Sequence, residues 1–117
     1  MASTELQAIV RFRFHDGDVE EFKRLSRECM EIVRAKDTGT LQYDTYFNAD
    51  ETECIVLERF RDAEALIRHG ENLAHLMDAI IATGSVFGEL LGEPSAELRA
   101  RFTGGGPVQL FTPWLTM

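Results

Sequence analysis

Glu53-Cys54-Ile55-Val56-Leu57-Glu58-Arg59-Phe60 is the stretch on which the fold turns. In an extended chain Cys54, Val56 and Phe60 fall on one face and Ile55 and Leu57 on the other. A strand that is apolar on both faces needs cover on both sides. Upstream, the polar turn Asn48-Ala49-Asp50-Glu51-Thr52 joins it to an alternating run carrying Leu41, Tyr43, Thr45 and Phe47, the pattern of a hairpin. Downstream, Asp62 stands ready to cap a helix from residue 63 to about 82, with Gly70 marking a kink or break.

Farther out, Leu6, Ala8, Val10, Phe12 and Phe14 alternate with Gln7, Ile9, Arg11, Arg13 and His15, a first strand. Asp18 and Glu21 then stand at capping-box spacing. Phe22, Leu25, Cys29, Ile32 and Val33 recur at threes and fours, giving one apolar helix face that ends near Lys36. Residues 85–91 read as a fourth strand, Pro94-Ser95 opens a short helix to about Phe102, and the glycines 104–106 with Pro107 form a break. Val108 to Phe111 reads as a short fifth strand. The core order β-α-β-β-α-β is the ferredoxin-like, split βαβ form of an α+β fold: a four-stranded antiparallel sheet with helices on one face only. The expected cover for the other face is a second copy, so the chain is predicted to be a homodimer.

A chain of 117 residues suits one domain, here a core over about 6–91 with a C-terminal helix and arm over 92–117. The net charge of -8 argues against nucleic acid or an anionic membrane as partner. No apolar run reaches the roughly 20 residues of a membrane span, and residues 1–7 lack the basic and apolar regions of a leader. Cys29 and Cys54 have neither CxxC nor metal-ligand spacing, which predicts two buried thiols in a reducing, cytoplasmic setting. The glycine run follows a helix and lacks a lysine, so it is no phosphate loop. With no clustered His, Cys and carboxylates and no flavin or haem motif, neither a metal nor a cofactor is expected.

The candidate chemistry centres on His69, which shares a helical face with Leu66, Leu73, Leu76 and Ile80 and so points at the sheet. An imidazole titrates near neutrality and suits proton removal from a phenol; the competing reading is a hydrogen-bonded core histidine. Glu58 lies on an otherwise apolar face, where a carboxylate needs a partner. It either orients His69 or pairs with Arg11 or Arg13. Tyr43 and Tyr46 are three apart on a strand and point to opposite faces, so one of them reaches the space under the helices. His75 falls on the polar side of its helix with Arg68, Asn72 and Asp78, and His15 ends the first strand; both read as solvent-facing. Phe111, Trp114 and Leu115 are too apolar to be left in water together and are expected to pack on structure or on a partner.

Gly39-Thr40-Leu41-Gln42-Tyr43, then Val56-Leu57-Glu58-Arg59-Phe60, then Asp62-Ala63-Glu64-Ala65-Leu66-Ile67-Arg68-His69 resemble the antibiotic biosynthesis monooxygenase family. That family shows Gly-x-x-x-Tyr entering its second strand, Glu-x-aromatic closing its third, and Ala-Leu-x-x-His after a short acidic turn. The resemblance implies a dimeric α+β barrel, two sheets face to face, with a cavity between each sheet and its helices. It covers several chemistries: cofactor-free oxidation of polycyclic phenols or quinols, haem degradation, and isomerisation of small signalling molecules. Haem degraders carry a tryptophan where this chain has His69, an asparagine in the first strand, and a histidine farther along the second helix than His75. Here the only tryptophan is Trp114, so haem degradation is set aside. The resemblance then implies a cofactor-independent monooxygenase of a hydroxylated aromatic or quinol. His69 and Glu58 are its candidate catalytic residues, and Tyr43, Tyr46, Phe60 and Leu73 the candidate contacts to a small aromatic or apolar substrate. The alternatives are a non-catalytic dimeric module binding small ligands in the same cavity, and an isomerase of a small phosphorylated signal, against which the acidic charge counts.

Overall fold

The computed structural model describes residues 4–102 and 106–117. Residues 1–3, part of the segment read as no leader, and residues 103–105, with two glycines of the expected break, lie outside the described residues. The elements are β1 (Leu6–Phe14), α1 (Val19–Lys36), β2 (Thr40–Phe47), β3 (Glu53–Phe60), α2 (Ala63–Ile81), β4 (Gly84–Leu91), α3 (Ala96–Ala100) and β5 (Val108–Phe111). The sheet runs β2-β3-β1-β4-β5. Antiparallel pairing places Val10 opposite both Val56 and Gly88, and Tyr43 opposite Glu58.

The expected four-stranded antiparallel sheet is thus corrected to a five-stranded mixed one. β5 adds to the edge of β4 in parallel, with Leu90 beside Leu110. A parallel neighbour needs a crossover, and the segment holding α3 supplies it. That crossover is fixed by burial of Leu98 against Leu6, Phe60 and Leu90, with Leu110 and Phe102 packed around them. A four-residue strand carries too little pattern to name its partner.

The apolar face of α1 and the inner face of the sheet meet as expected: Phe22, Leu25, Cys29 and Val33 pack on Phe12, Cys54 and Val56, with Leu73 and Ile80 of α2 closing the cluster. Both cysteines are free and buried. Two local expectations fail. Asp18 sits at the N-cap of α1, but its side chain caps nothing, and Glu21 pairs with Arg24 instead. Gly70 does not break α2, which runs through it from Ala63 to Ile81; it lies on the exposed side, where a methyl group would meet nothing. The real caps are Asp62, which accepts from the Ala65 N–H at 2.9 Å, and Ser95, which accepts from Leu98. No helix among the described residues is long and apolar enough to cross a membrane.

Among the described residues, no helix covers the outer face of the sheet. Across it Tyr46, Ile55, Arg11 and Phe87 stand in one register row. Tyr46 and Phe87 are exposed, and Ile55 and Leu57 are only half-buried. Arg11 and Arg13 lie here too and take their acids from neighbouring strands, Glu89 and Glu53. Beyond β5 the arm extends outward, with Trp114 89% and Leu115 82% exposed. Within one chain the arm therefore does not pack as expected.

Candidate functional site

The end of α1 builds the site. At the C-cap, Asp37 turns extended (ψ 138°) while its N–H still bonds the Val33 carbonyl. That turn frees its side chain to face α2. Gly39 permits the approach, since a Cβ there would lie 2.5 Å from the Cβ of Ala65. The Gly39 carbonyl then accepts the Arg61 N–H at 2.8 Å, tying this corner to the end of β3. The glycine of the Gly-x-x-x-Tyr pattern thus has a packing reason.

The Asp37 side chain is 2% exposed and collects three donors. His69 Nδ1 lies 2.7 Å from Oδ2, Thr40 Oγ1 2.6 Å from the same oxygen, and Asn72 Nδ2 2.8 Å from Oδ1. Burial works to raise the Asp37 pKa, but the hydrogen bonds from Thr40, Asn72 and His69 outweigh it and hold the carboxyl below its ordinary value. An ionised carboxylate only accepts, so the His69 Nδ1 carries the proton and donates it. The other ring nitrogen, Nε2, is left to face inward. The ring is held edge-on by Tyr43, with centroids 5.2 Å apart, and packed by Phe60 at 5.0 Å.

Inward of His69 lies a cavity of about 270 Å³ between the helices and the sheet. Its walls are mostly apolar: Val10, Phe12, Phe22, Leu73 and Met77 among them, with Pro107 and Val108 closing the side toward β5. Its polar groups are few. None of its described lining residues is Lys or Arg. The Tyr43 hydroxyl and Cys29 thiol bond each other, and burial pushes both pKa values up, leaving both neutral.

Glu58 is the exception to the apolar lining. Oε1 lies 3.7 Å from His69 Nε2, and the side chain is 15% exposed. Its expected alternative partners, Arg11 and Arg13, are on the opposite face of the sheet with acids of their own. Burial, then the Asp37 charge, pushes the Glu58 carboxyl up to about 8. At neutral pH it is mostly a carboxylic acid. The cavity therefore presents a base, Nε2, and an acid, the Glu58 carboxyl, side by side.

A raised carboxyl has a consequence for stability. Its contribution is fully present below the unfolded pKa, near 4.5, and is lost as pH rises to the folded value of about 8. Glu58→Gln, which stays neutral, is expected to exceed wild type in unfolding free energy at alkaline pH by roughly 2–5 kcal/mol and so to melt higher there, with the difference closing in acid. Thermal melts across that range check this; a variant less stable than wild type throughout would show that the carboxylate is stabilised by its surroundings and contradict the raised value.

Of the residues singled out from sequence, His69, Glu58, Tyr43 and Leu73 meet in this cavity. Phe60 is fully buried and touches the ring of His69 from the core. Tyr46 does not join them: it points to the outer face, 54% exposed, as β-strand alternation from Tyr43 requires. His75 and His15 are exposed. Asp37, Thr40 and Asn72 were missed. Asn72 was placed on the wet side of α2, yet it stands three residues from His69 on a helix, a spacing that brings side chains together.

The fold is shared with known proteins. Among solved structures, MupZ from Pseudomonas fluorescens superposes with a TM-score of 0.81 at 24% identity, covering 100% of this chain and 90% of its own. Rv0793 from Mycobacterium tuberculosis gives 0.68 at 23% identity, covering 78% of this chain and 96% of its own. SnoaB from Streptomyces nogalater, a cofactor-independent oxygenase, gives 0.63 at 18% identity, covering 75% and 91%. At these identities the likeness establishes the fold. No curated protein sequence matches. The model of one sequence family matches residues 6–77, from β1 through the His69 face of α2, and by that match the chain belongs to the antibiotic biosynthesis monooxygenase family.

Proposed function

We propose that the chain is a cofactor-independent monooxygenase acting on a hydroxylated aromatic or quinol. The observation that carries the reading is the buried Asp37–His69 pair, 2.7 Å apart, with Nε2 turned into an apolar cavity that also holds Glu58. A phenol or quinol hydroxyl within reach of Nε2 loses its proton to His69, and the resulting anion is electron-rich enough to react with dioxygen. One oxygen atom enters the product and the other leaves as water, both reducing electrons coming from the substrate. The carboxylic acid of Glu58 donates a hydrogen bond to the oxyanion, and the apolar walls keep bulk water from the reactive species. Tyr43 and Leu73 line the same space and are the proposed substrate contacts, with Phe60 supporting the imidazole.

The same reading takes the outer sheet face as the surface of a homodimer. Ile55, Leu57, Phe87 and Tyr46 form the apolar part of a patch on which a second copy would bury about 2,000 Å² in total. Oxygen-electrode traces with anthrone, on chelator-treated protein first sedimented to establish its mass, test both parts. The expected result is a dimer that consumes one dioxygen per anthrone without added flavin or metal. A monomer would contradict the covered face. Absence of uptake with any phenolic substrate, alongside retained binding of apolar ligands, would leave the non-catalytic binding module in its place.

A further inference from the structure

The proposed chemistry leaves the C-terminal arm unused. Trp114, Leu115 and Met117 all stand exposed within four residues of one another. Scattered apolar residues on a surface need no explanation, but a cluster led by a tryptophan marks a contact.

On the outer face of the sheet lies a hollow of about 280 Å³, bordered by Arg11, Tyr46, Asn48, Glu53 and Ile55. It is smaller than the roughly 300–1,000 Å³ of small-molecule sites, a size for one large side chain. Its chemistry suits an indole. Tyr46 and Ile55 offer apolar walls, and the Arg11 guanidinium, 3.5 Å from Glu89, is free to lie over an aromatic face. The Glu53 carboxylate, held loosely by Arg13 at 3.7 Å, is available to accept an indole N–H.

The arm of the same chain does not reach this hollow. β5 runs parallel to β4 and ends with Phe111 beside Leu91, which stands opposite Gln7. The hollow lies four residues back along the sheet, at Arg11, and two to three strands across. At about 3.3 Å per residue and 4.8 Å per strand, it is roughly 16–19 Å from Phe111. Trp114 is three residues beyond Phe111, a span of at most about 11 Å, and β5 is heading the other way.

We propose that the arms are exchanged: Trp114 of each copy seats in the Arg11–Tyr46–Ile55 hollow of a second copy. The inference rests on the reading of the outer face as a homodimer surface and adds the segment that anchors it. By two-fold symmetry the contact occurs twice. A buried tryptophan removes about 150–250 Å² from water, so the pair supplies roughly 300–500 Å² of the interface. The outer face needs such an anchor, because Tyr46, Ile55, Leu57 and Phe87 are interleaved there with two arginines and their acids.

Trp114 is the only tryptophan in the sequence, so its emission reports the arm alone. Sedimentation and fluorescence are measured on the same samples of the full chain. A dimer with blue-shifted emission, quenched by acrylamide several-fold more slowly than free tryptophan, is expected. A dimer with solvent-like emission overturns the exchange and leaves the covered face standing; a monomer overturns both. Two variants then ask which chain supplies the hollow. Trp114→Ala and Tyr46→Ala each damage both contacts of a homodimer. With each contact worth at least about 30-fold, each variant should dimerise about 10³-fold more weakly than wild type. Mixed, they restore one intact contact, the arm of the Tyr46→Ala chain in the hollow of the Trp114→Ala chain. The heterodimer should therefore be about 30-fold tighter than either homodimer. Both side chains are exposed within the chain, so folding should be retained. Variants that dimerise as tightly as wild type, or a mixture no tighter than its components, overturn the proposal. Should either variant not fold, the wild-type emission and quenching decide alone.

Discussion

His69→Ala is expected to lower oxygen uptake with anthrone by roughly 10²-fold or more, the usual contribution of a general base. Among the described lining residues, the ring is the polar group aimed by an ionised partner. Stability should respond differently. Truncation removes ring contacts to Tyr43 and Phe60 and leaves Asp37 with two of its three donors, Thr40 and Asn72. A loss of about 1–3 kcal/mol follows, the range for a buried polar group losing a partner. His75→Ala is the control, since His75 is exposed on the far side of the same helix. The two variants should differ clearly in rate per folded molecule. If His69→Ala instead keeps full activity per folded molecule and loses only stability, His69 is a core histidine, the competing reading of the sequence.

Asp37→Asn is expected to reach a comparable loss without touching the cavity wall. Asp37 acts through His69, and its work is to fix which ring nitrogen carries the proton. An asparagine there presents an amide N–H₂ beside the amide of Asn72 and the hydroxyl of Thr40, and it no longer demands a donor from Nδ1. The imidazole is then free to place its proton on Nε2, which silences the base. In serine-protease triads the equivalent change lowers turnover by about 10⁴; here, where substrate must also be oriented by apolar walls, at least 10² is expected. The effect should fall on kcat rather than KM, which a merely structural role would not produce. Acid stability supplies a second reading. A carboxyl held below its ordinary value stabilises the fold above that value and loses its contribution as pH falls through the depressed one. Asp37→Asn should therefore flatten part of the acid unfolding that wild type shows.

How much of this was legible in the sequence follows from what each signal depends on. The alternation of Leu6 to Phe14 and the threes and fours of Phe22 to Val33 are properties of single elements, and those elements stand where the pattern puts them. The both-sided apolar character of Ile55 and Val56 marked β3 as central to the question of cover, and its outer face does lack a helix. His69 was visible because a polar residue on an apolar helical face is a mismatch within one element. Asp37 was not visible, because its role is created by a meeting of two elements. It sits at the C-cap of α1, a place where an acid usually reads as a helix terminator, and only the close approach at Gly39 carries it to α2. Of the two partners the sequence offers Glu58, the arginines fail for a related reason: Arg11 and Arg13 are near in register but on the other face, which leaves His69 beside it. Strand β5 is the same lesson in the backbone, since its partner is chosen by the packing of Leu98 and Leu110 rather than by its own four residues.

The state of the His69 ring is the most direct measure of whether a base is held ready in this cavity. Nitrogen-15 correlation NMR on the ligand-free protein distinguishes a protonated ring nitrogen from one with a free lone pair. The account predicts a protonated Nδ1, bonded to Asp37, and a lone pair on Nε2, with this preference lost in Asp37→Asn. A ring protonated on Nε2, or one averaging freely between the two forms in wild type, would contradict it.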